Sequence, residues 1–253
     1  MSDSMSSLLP VVCFDAVGTL IHPVEPVADT YARAGRRHGF ELSLEIVSRR
    51  FREAFEWEER RDRQGDLRTD EEREKARWRT IIGHVFHDQP DPLAPFEELW
   101  NHYARPEAWT CYPDAVRFLD WLRTTGGRYA IASNFDRRLQ GIVRGLPPLA
   151  DAWQVVISSE VGWRKPARKF FELLADRMGC RSAEMVYIGD SYENDFQPAS
   201  ALGMQAFLLN RGSSPSAPPF LASLDELSER LKMMGKCRHE GEALRSHAHD
   251  PSC

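Results

Sequence analysis

The stretch Leu8-Leu9-Pro10-Val11-Val12-Cys13-Phe14-Asp15 decides how this chain is read. From Leu8 to Phe14 it is apolar with no polar alternation, and it stops at a carboxylate. A strand with one wet face alternates in polarity, whereas a strand covered on both faces by helices does not. The run therefore predicts a buried strand of a parallel sheet. Tyr129–Ser133 (YAIAS) repeats the pattern, as does Met185–Ile188 (MVYI), which ends at Gly189-Asp190. Trp153–Ile157 and Ala206–Leu209 read as two more strands. Between them lie helical stretches. Pro113–Arg123 spaces Val116, Leu119 and Leu122 at three-residue intervals with Trp121 beside them, and Pro113 is suited to a first helical position. Lys169–Met178 is apolar at Phe170, Phe171, Leu173, Leu174 and Met178. Strands alternating with helices from 112 to 210 predict an α/β fold with a doubly wound parallel sheet.

Residues 23–108 differ in kind. They hold no convincing strand, are dense in Arg and Glu over Arg49–Arg79, and place Phe51, Phe55, Trp78, Ile81, Ile82 and Val85 at helical spacing. The expected organisation is a core of residues 8–22 plus 109–235, interrupted by a helical insert at 23–108. The charge run reads as a solvated helix face, and Trp57, Trp78 and Trp100 read as core. Pro90–Pro95 is loop-like, Ser213–Pro219 is a Pro/Ser linker, and Leu221–Met234 has the spacing of a closing helix. Residues 236–253, with His239, His247 and His249, lack periodicity and read as a disordered tail.

Composition removes several function classes. The 253 residues carry 33 Lys+Arg against 38 Asp+Glu, a formal net charge of -5, so no basic surplus favours nucleic acid or a membrane surface. A hydrophobic share of 42% is too high for a disordered chain. Mean hydropathy is -0.48, and no apolar run approaches the ~18 residues of a membrane span. Met1–Pro10 lacks a basic segment followed by a long apolar one, so no secretory signal is expected. Cys13, Cys111, Cys180, Cys237 and Cys253 are scattered with no C-x-x-C pair, which points to reduced thiols in a cytoplasmic protein. Cys13, inside the apolar run, reads as a small core side chain. Oligomeric state leaves no signal.

The chemistry is legible in where the acids fall. In an open parallel sheet, ligands bind beyond the carboxyl ends of the strands. The strand ends here carry Asp15 with Gly18-Thr19, Ser133-Asn134, a segment with Lys165-Pro166, and Gly189-Asp190 with Asp195. Singly, each is an ordinary turn or cap residue. Together they would bring a carboxylate, a hydroxyl, a lysine and further carboxylates to one edge, which suits a covalent Asp nucleophile beside a hard divalent cation. Lys165 would keep Asp15 ionised.

Phe14–Leu20 (FDAVGTL), Ile131–Asn134 (IASN), Lys165-Pro166 and Ile188–Asp195 (IGDSYEND) resemble the four motifs of the haloacid dehalogenase-like hydrolase superfamily. The resemblance runs from Val11 to about Leu231, and the helical insert falls where that superfamily places its cap. The stretch from SNFDRRL to Gly189-Asp190 looks closest to the uncharacterised dehalogenase-like hydrolase domain proteins. The resemblance implies a Rossmannoid core and a small anionic substrate. It implies Asp15 as nucleophile, Ser133 and Asn134 at the transferring group with Gly18 and Thr19 nearby, and Lys165 as charge balance. It also implies Mg²⁺ on Asp15, Asp190 and the carbonyl of Val17, with Asp195 holding the metal's water shell.

One position departs from the pattern. The superfamily's phosphatases carry a second Asp two residues after the nucleophile, as general acid and base, and here that residue is Val17. Such help is typically worth ~10²–10⁴-fold. One reading is a Mg²⁺-dependent phosphatase, slow or restricted to good leaving groups such as acyl or aryl phosphates. A second is a 2-haloacid dehalogenase, since halide leaves without a proton, although those enzymes need no metal, carry Ser or Asn at the position of Asp190 and place a Tyr where Phe171 stands. A phosphonate hydrolase would need a cap lysine, and the insert holds just Lys75. A non-catalytic binding module is the fourth. Arg33, Arg36 and Arg37 are insert residues that could meet an anion.

Overall fold

The apolar run forms β1 (Val11–Phe14), with all four side chains buried. The structure, a computed structural model, describes residues 9–212 and 219–231. A short strand β2 (Ile21–Pro23) pairs antiparallel with β3 (Trp109–Cys111), and four helices lie between them. These are α1 (Val27–Arg37), α2 (Leu44–Gln64), α3 (Glu71–Val85) and α4 (Phe96–His102). Then follow α5 (Pro113–Thr124), β4 (Tyr129–Ser133), α6 (Arg138–Gly145), β5 (Gln154–Ile157), α7 (Ser158–Val161) and α8 (Arg168–Met178). The chain continues through β6 (Met185–Gly189), α9 (Gln197–Ala201), β7 (Gln205–Leu209) and β8 (Phe220–Leu221), and residues 225–231 are helical.

Six strands form one parallel sheet in the order β5-β4-β1-β6-β7-β8. The chain runs outward from β1 through β4 to β5, then crosses to β6 on the other side. Strand order therefore reverses at β1, and a crevice opens there at the carboxyl edge. Side-chain alternation assigns the two layers. Val12 and Phe14 pack with Phe118 and Leu122 of α5, Leu139 and Ile142 of α6, and Leu224, Leu227 and Leu231. Val11 and Cys13 pack with Phe170, Phe171, Leu174 and Met178 of α8 and Ala199 of α9. Pro113 starts α5, and Gly179 ends α8 in the left-handed region at φ 62°, where glycine costs little.

The four-helix insert builds a core of its own from Tyr31, Val47, Ile82, Val85, Phe86, Phe96 and Leu99. Ser43 caps α2 through the Ile46 amide, and Asp70 caps α3 through the Arg73 amide at 2.7 Å.

Two expectations are corrected. Lys165 does not follow a strand directly, because α7 intervenes and the lysine sits in the loop leading to α8. Nor is the charge run simply a wet face. Glu58, Glu74 and Arg77 are 0%, 2% and 2% exposed, and Arg164, beside Lys165, is 4% exposed. Arg77 pairs with Glu59 at 2.6 Å and with Asp62, while Arg164 pairs with Glu59 at 3.1 Å, with Asp62 at 3.2 Å and with Glu74. Periodicity registers these residues as polar but cannot register that their charges cancel across two elements. The expected tail and most of the Pro/Ser linker lie outside the described residues.

Arg164 thus holds three carboxylates of the insert to the core. Removing one member of a buried ionic cluster leaves its partners uncompensated, at ~3–5 kcal/mol. Arg164→Met should lower urea-unfolding stability by about that amount, and an unchanged unfolding midpoint would show that the network does not fasten the insert.

Candidate active site

Asp15 follows β1 directly, and its amide donates to the Ile188 carbonyl at 2.9 Å, so the β1–β6 ladder fixes its backbone. Its side chain is addressed from two sides. Lys165 Nζ donates to Asp15 Oδ1 at 2.7 Å, and Ser133 Oγ donates to the same atom at 3.3 Å. No hydrogen bond to Asp15 Oδ2 forms among the described residues. Lys165 Nζ also donates to Asp195 Oδ1 at 2.6 Å and to the Ala132 carbonyl at 3.2 Å, and it lies 3.2 Å from the Tyr187 hydroxyl. Desolvation alone would discharge so buried an ammonium, but Asp15 and Asp195 outweigh it and hold the Lys165 pKa above the ordinary lysine value.

Asn134 fixes the lysine's backbone from both directions. Its Nδ2 donates to the Lys165 carbonyl at 2.9 Å, and its Oδ1 accepts from the Lys165 amide at 2.8 Å. Asp195 is 1% exposed, and its second oxygen accepts from the Ser191 amide at 3.1 Å. The approach of the acids depends on two glycines. A Cβ on Gly18, which has φ 91°, would sit 2.2 Å from Asp190 Oδ2, and one on Gly189 would sit 2.2 Å from Asp195 Cγ. Neither position has room for a side chain.

Carboxylate oxygens of Asp15, Asp190 and Asp195 lie within 4.8 Å of one another. Burial raises the Asp195 carboxyl, Lys165 offsets part of that rise, and Asp15 adds to it. Enclosure by the protein, then the negative charges of Asp15 and Asp195, push Asp190 well above the usual carboxylate range. Because Asp190 is open to solvent on its outer side, the field of the two neighbouring acids is the firmer part of that cause. Three carboxylates share one buried ammonium here. The other basic groups of the cavity are already engaged: Arg77 and Arg164 in the insert network, Arg63 with Glu193, and Arg60 with Glu56 at 3.7 Å. Hard oxygen donors with surplus negative charge fit a divalent cation. Asn194 Oδ1, buried with no hydrogen-bond partner, adds an unused acceptor from the same loop.

The cavity over this cluster has a volume of about 510 Å³ and is walled by Asp15, Ser133, Asn134, Lys165, Asp190 and Asp195, with Val17 beside them. Gly18 and Thr19 do not contact this space as the sequence reading expected. The Gly18 amide donates to the Ile21 carbonyl at 2.8 Å, and the Gly18 and Thr19 carbonyls each accept from Arg211 at 2.7 Å. The Thr19 side chain is fully buried. What these residues supply is a braced loop and clearance for Asp190. Arg33 and Arg37 also lie elsewhere, paired with Glu25 at 2.5 Å and with Glu98. Trp57 is 48% exposed and Trp78 lines the cavity, so neither is plain core.

Three contributors escaped the sequence reading. Tyr187, fully buried in β6, donates to Asp195 Oδ1 at 3.1 Å or to the Ala132 carbonyl at 3.2 Å. A hydroxyl inside an otherwise apolar strand two residues before Gly189 was the available signal. Arg164 was signalled by a second cation beside Lys165. Arg211, stacked 3.7 Å from the Tyr112 ring centroid and bonded to Asp114 at 3.0 Å, had no local signal.

Residues 9–203 match the haloacid dehalogenase-like hydrolase family. Haloacid dehalogenase-like hydrolase domain-containing protein 3 of Danio rerio is 30% identical over 239 residues, covering 87% of this chain and 96% of the relative. A ribulose-1,5-bisphosphate 5-phosphatase of Halopiger xanaduensis is 29% identical over 211 residues, covering 81% of this chain and 87% of the relative. A solved defluorinating L-2-haloacid dehalogenase superposes with a TM-score of 0.72 at 16% identity, over 88% of this chain and 95% of that one, and so shares the fold. By the family match and the zebrafish relative together, the chain belongs to the haloacid dehalogenase-like hydrolases.

Proposed function

We propose that this chain is a Mg²⁺-dependent, phosphatase-like hydrolase of a small phosphorylated molecule, with Asp15 as its nucleophile. The observation that carries the reading is the surplus of carboxylate over cation: Asp15, Asp190 and Asp195 around the single ammonium of Lys165. A phosphate dianion could not enter that field without a metal. Asp15, Asp190 and the Val17 carbonyl would hold Mg²⁺, with Asp195 orienting its water. When bound, the ion would neutralise charge on the transferring phosphoryl group. The phosphatase relative from Halopiger adds support from sequence.

The residues divide the work. Lys165 and Ser133 hold Asp15 Oδ1, which leaves Oδ2, without a hydrogen bond among the described residues, as the attacking atom. That oxygen bonds phosphorus as the bond from phosphorus to the leaving oxygen breaks, and the electron pair departs on that oxygen. Water then attacks phosphorus, the aspartyl oxygen leaves with its pair, and Asp15 returns to carboxylate while the proton stays on inorganic phosphate. The insert, fastened through Arg164, serves as the cap that excludes bulk water. Val17 favours a second reading, halide displacement from a 2-haloacid, because halide leaves without a proton; that reading predicts turnover untouched by chelator.

Asp15→Asn should reduce phosphate-ester turnover by a factor on the order of 10³ or more, and EDTA should silence the wild type reversibly. Turnover that survives both treatments removes this reading.

The acid cluster also sets a pH dependence. Folding raises the Asp190 pKa from 3.8 to about 7, so the native state binds more protons than the unfolded chain in that window. Without metal, stability should therefore fall as pH rises through it. Mg²⁺ should restore more of the thermal midpoint at about pH 8 than at about pH 5, and Asp190→Asn should flatten the difference. Equal Mg²⁺ effects at both pH values would contradict metal binding by this cluster.

A further inference from the structure

A second cavity of about 310 Å³ adjoins the first. Val17, Phe55, Trp78, Asn134 and Phe135 line both. Beyond them its wall is apolar, with Val27, Tyr31, Ile82 and Leu99 from the insert. Arg138 also lines it, yet each of its guanidinium nitrogens already donates, to Asp136 at 2.7 Å twice and to the Trp100 carbonyl at 2.9 Å. Asn134 is likewise committed to Lys165. Tyr103 lines it too, with its hydroxyl buried and without a hydrogen-bond partner, so the chamber offers aromatic faces and little free hydrogen-bonding capacity beyond that hydroxyl. Phe55 is 38% exposed although it stacks 6.1 Å from Phe51 and lies tilted 6.5 Å from Trp78, which leaves an apolar surface open at the junction.

Resting on the phosphatase reading, we propose that this chamber receives the leaving group, and that the substrate is an aryl phosphate whose flat apolar ring lies between Val17, Phe55 and Trp78. Volume and chemistry agree. An apolar protein cavity of about 150 Å³ accommodates benzene, so this chamber takes one substituted ring or two fused rings. Val17 marks the junction and cannot protonate the departing oxygen. An aryloxide does not need that proton: a phenol titrates near ~10, whereas an alcohol resembles water at ~16. The electron pair of the broken phosphorus–oxygen bond leaves on the ring oxygen as aryloxide, which takes its proton from solvent after release. The missing acid and the apolar chamber then describe one substrate.

With Mg²⁺, kcat/KM is compared for 2-naphthyl phosphate, acetyl phosphate (a good leaving group with no ring) and glycerol phosphate. The naphthyl ester is expected to lead acetyl phosphate by on the order of tenfold or more, with glycerol phosphate far behind. Val27→Phe, which fills the chamber, should lower the naphthyl-to-acetyl ratio and abolish tryptophan quenching by 2-naphthol, with folding checked by circular dichroism. Val17→Asp should raise glycerol phosphate turnover more than naphthyl turnover. Acetyl phosphate hydrolysis with no preference for the naphthyl ester, or a ratio unmoved in a folded Val27→Phe protein, overturns the ring assignment and leaves the phosphatase reading standing. No turnover of any of the three with Mg²⁺ overturns both.

Discussion

The Lys165 ammonium is the point on which the site depends. It is nearly solvent-free and reaches Asp15 and Asp195 at 2.7 and 2.6 Å. A buried charge without partners would lose its proton rather than stay dry, and buried carboxylates would take one up. Lys165 keeps its charge here because Asp15 and Asp195 stand against it. Two strands of the sheet and the loop ahead of α8 must therefore arrive in register before any member is tolerable. Asn134, clamping the lysine's backbone from the end of β4, shows how that register is enforced.

Charge balance explains why the structure spends glycine where it does. Asp190 and Asp195 can stand beside Asp15 only because positions 18 and 189 carry no Cβ. Crowding that many acids raises their proton affinity, a cost to the folded state at neutral pH that a cation would offset. The same economy of charge recurs one shell out. Arg164, adjacent in sequence to Lys165, faces the insert instead of the nucleophile and neutralises Glu59, Asp62 and Glu74. Two neighbouring cations thus carry separate tasks, one at the nucleophile and one at the insert.

Much of this was readable from residue order. Parallel strands buried on both faces announce themselves as uninterrupted apolar runs, so the central strands and the acids at their ends stood out. The meeting of Asp15, Ser133 and Asp190 follows from topology, because the strand ends of a parallel sheet lie along one edge, whereas Lys165 reaches them from the loop ahead of α8 and Asp195 from the turn after β6. Contacts made at a distance with ordinary residue types were hidden. Arg211 reaches the loop after β1 from the end of β7, and no spacing rule connects position 211 with positions 18 and 19. The buried ion network was misread for a related reason: helical periodicity distinguishes polar from apolar, not a solvated charge from a neutralised one. Backbone roles were opaque too, since the Gly18 amide and the Gly18 and Thr19 carbonyls of the motif are engaged by Ile21 and Arg211.

Val17 looked from sequence like a defect in an otherwise intact motif. Its surroundings argue otherwise. A carboxylate there would stand at the mouth of a chamber walled by Phe55, Trp78 and Phe135, beside an acid cluster already raised in proton affinity. Its ionised form would be disfavoured from both directions, by desolvation and by like charge. Valine at the junction relieves the field and extends the apolar wall toward the nucleophile. One substitution therefore changes proton supply and pocket polarity in the same sense, so that the chemistry and the cavity select for the same kind of leaving group.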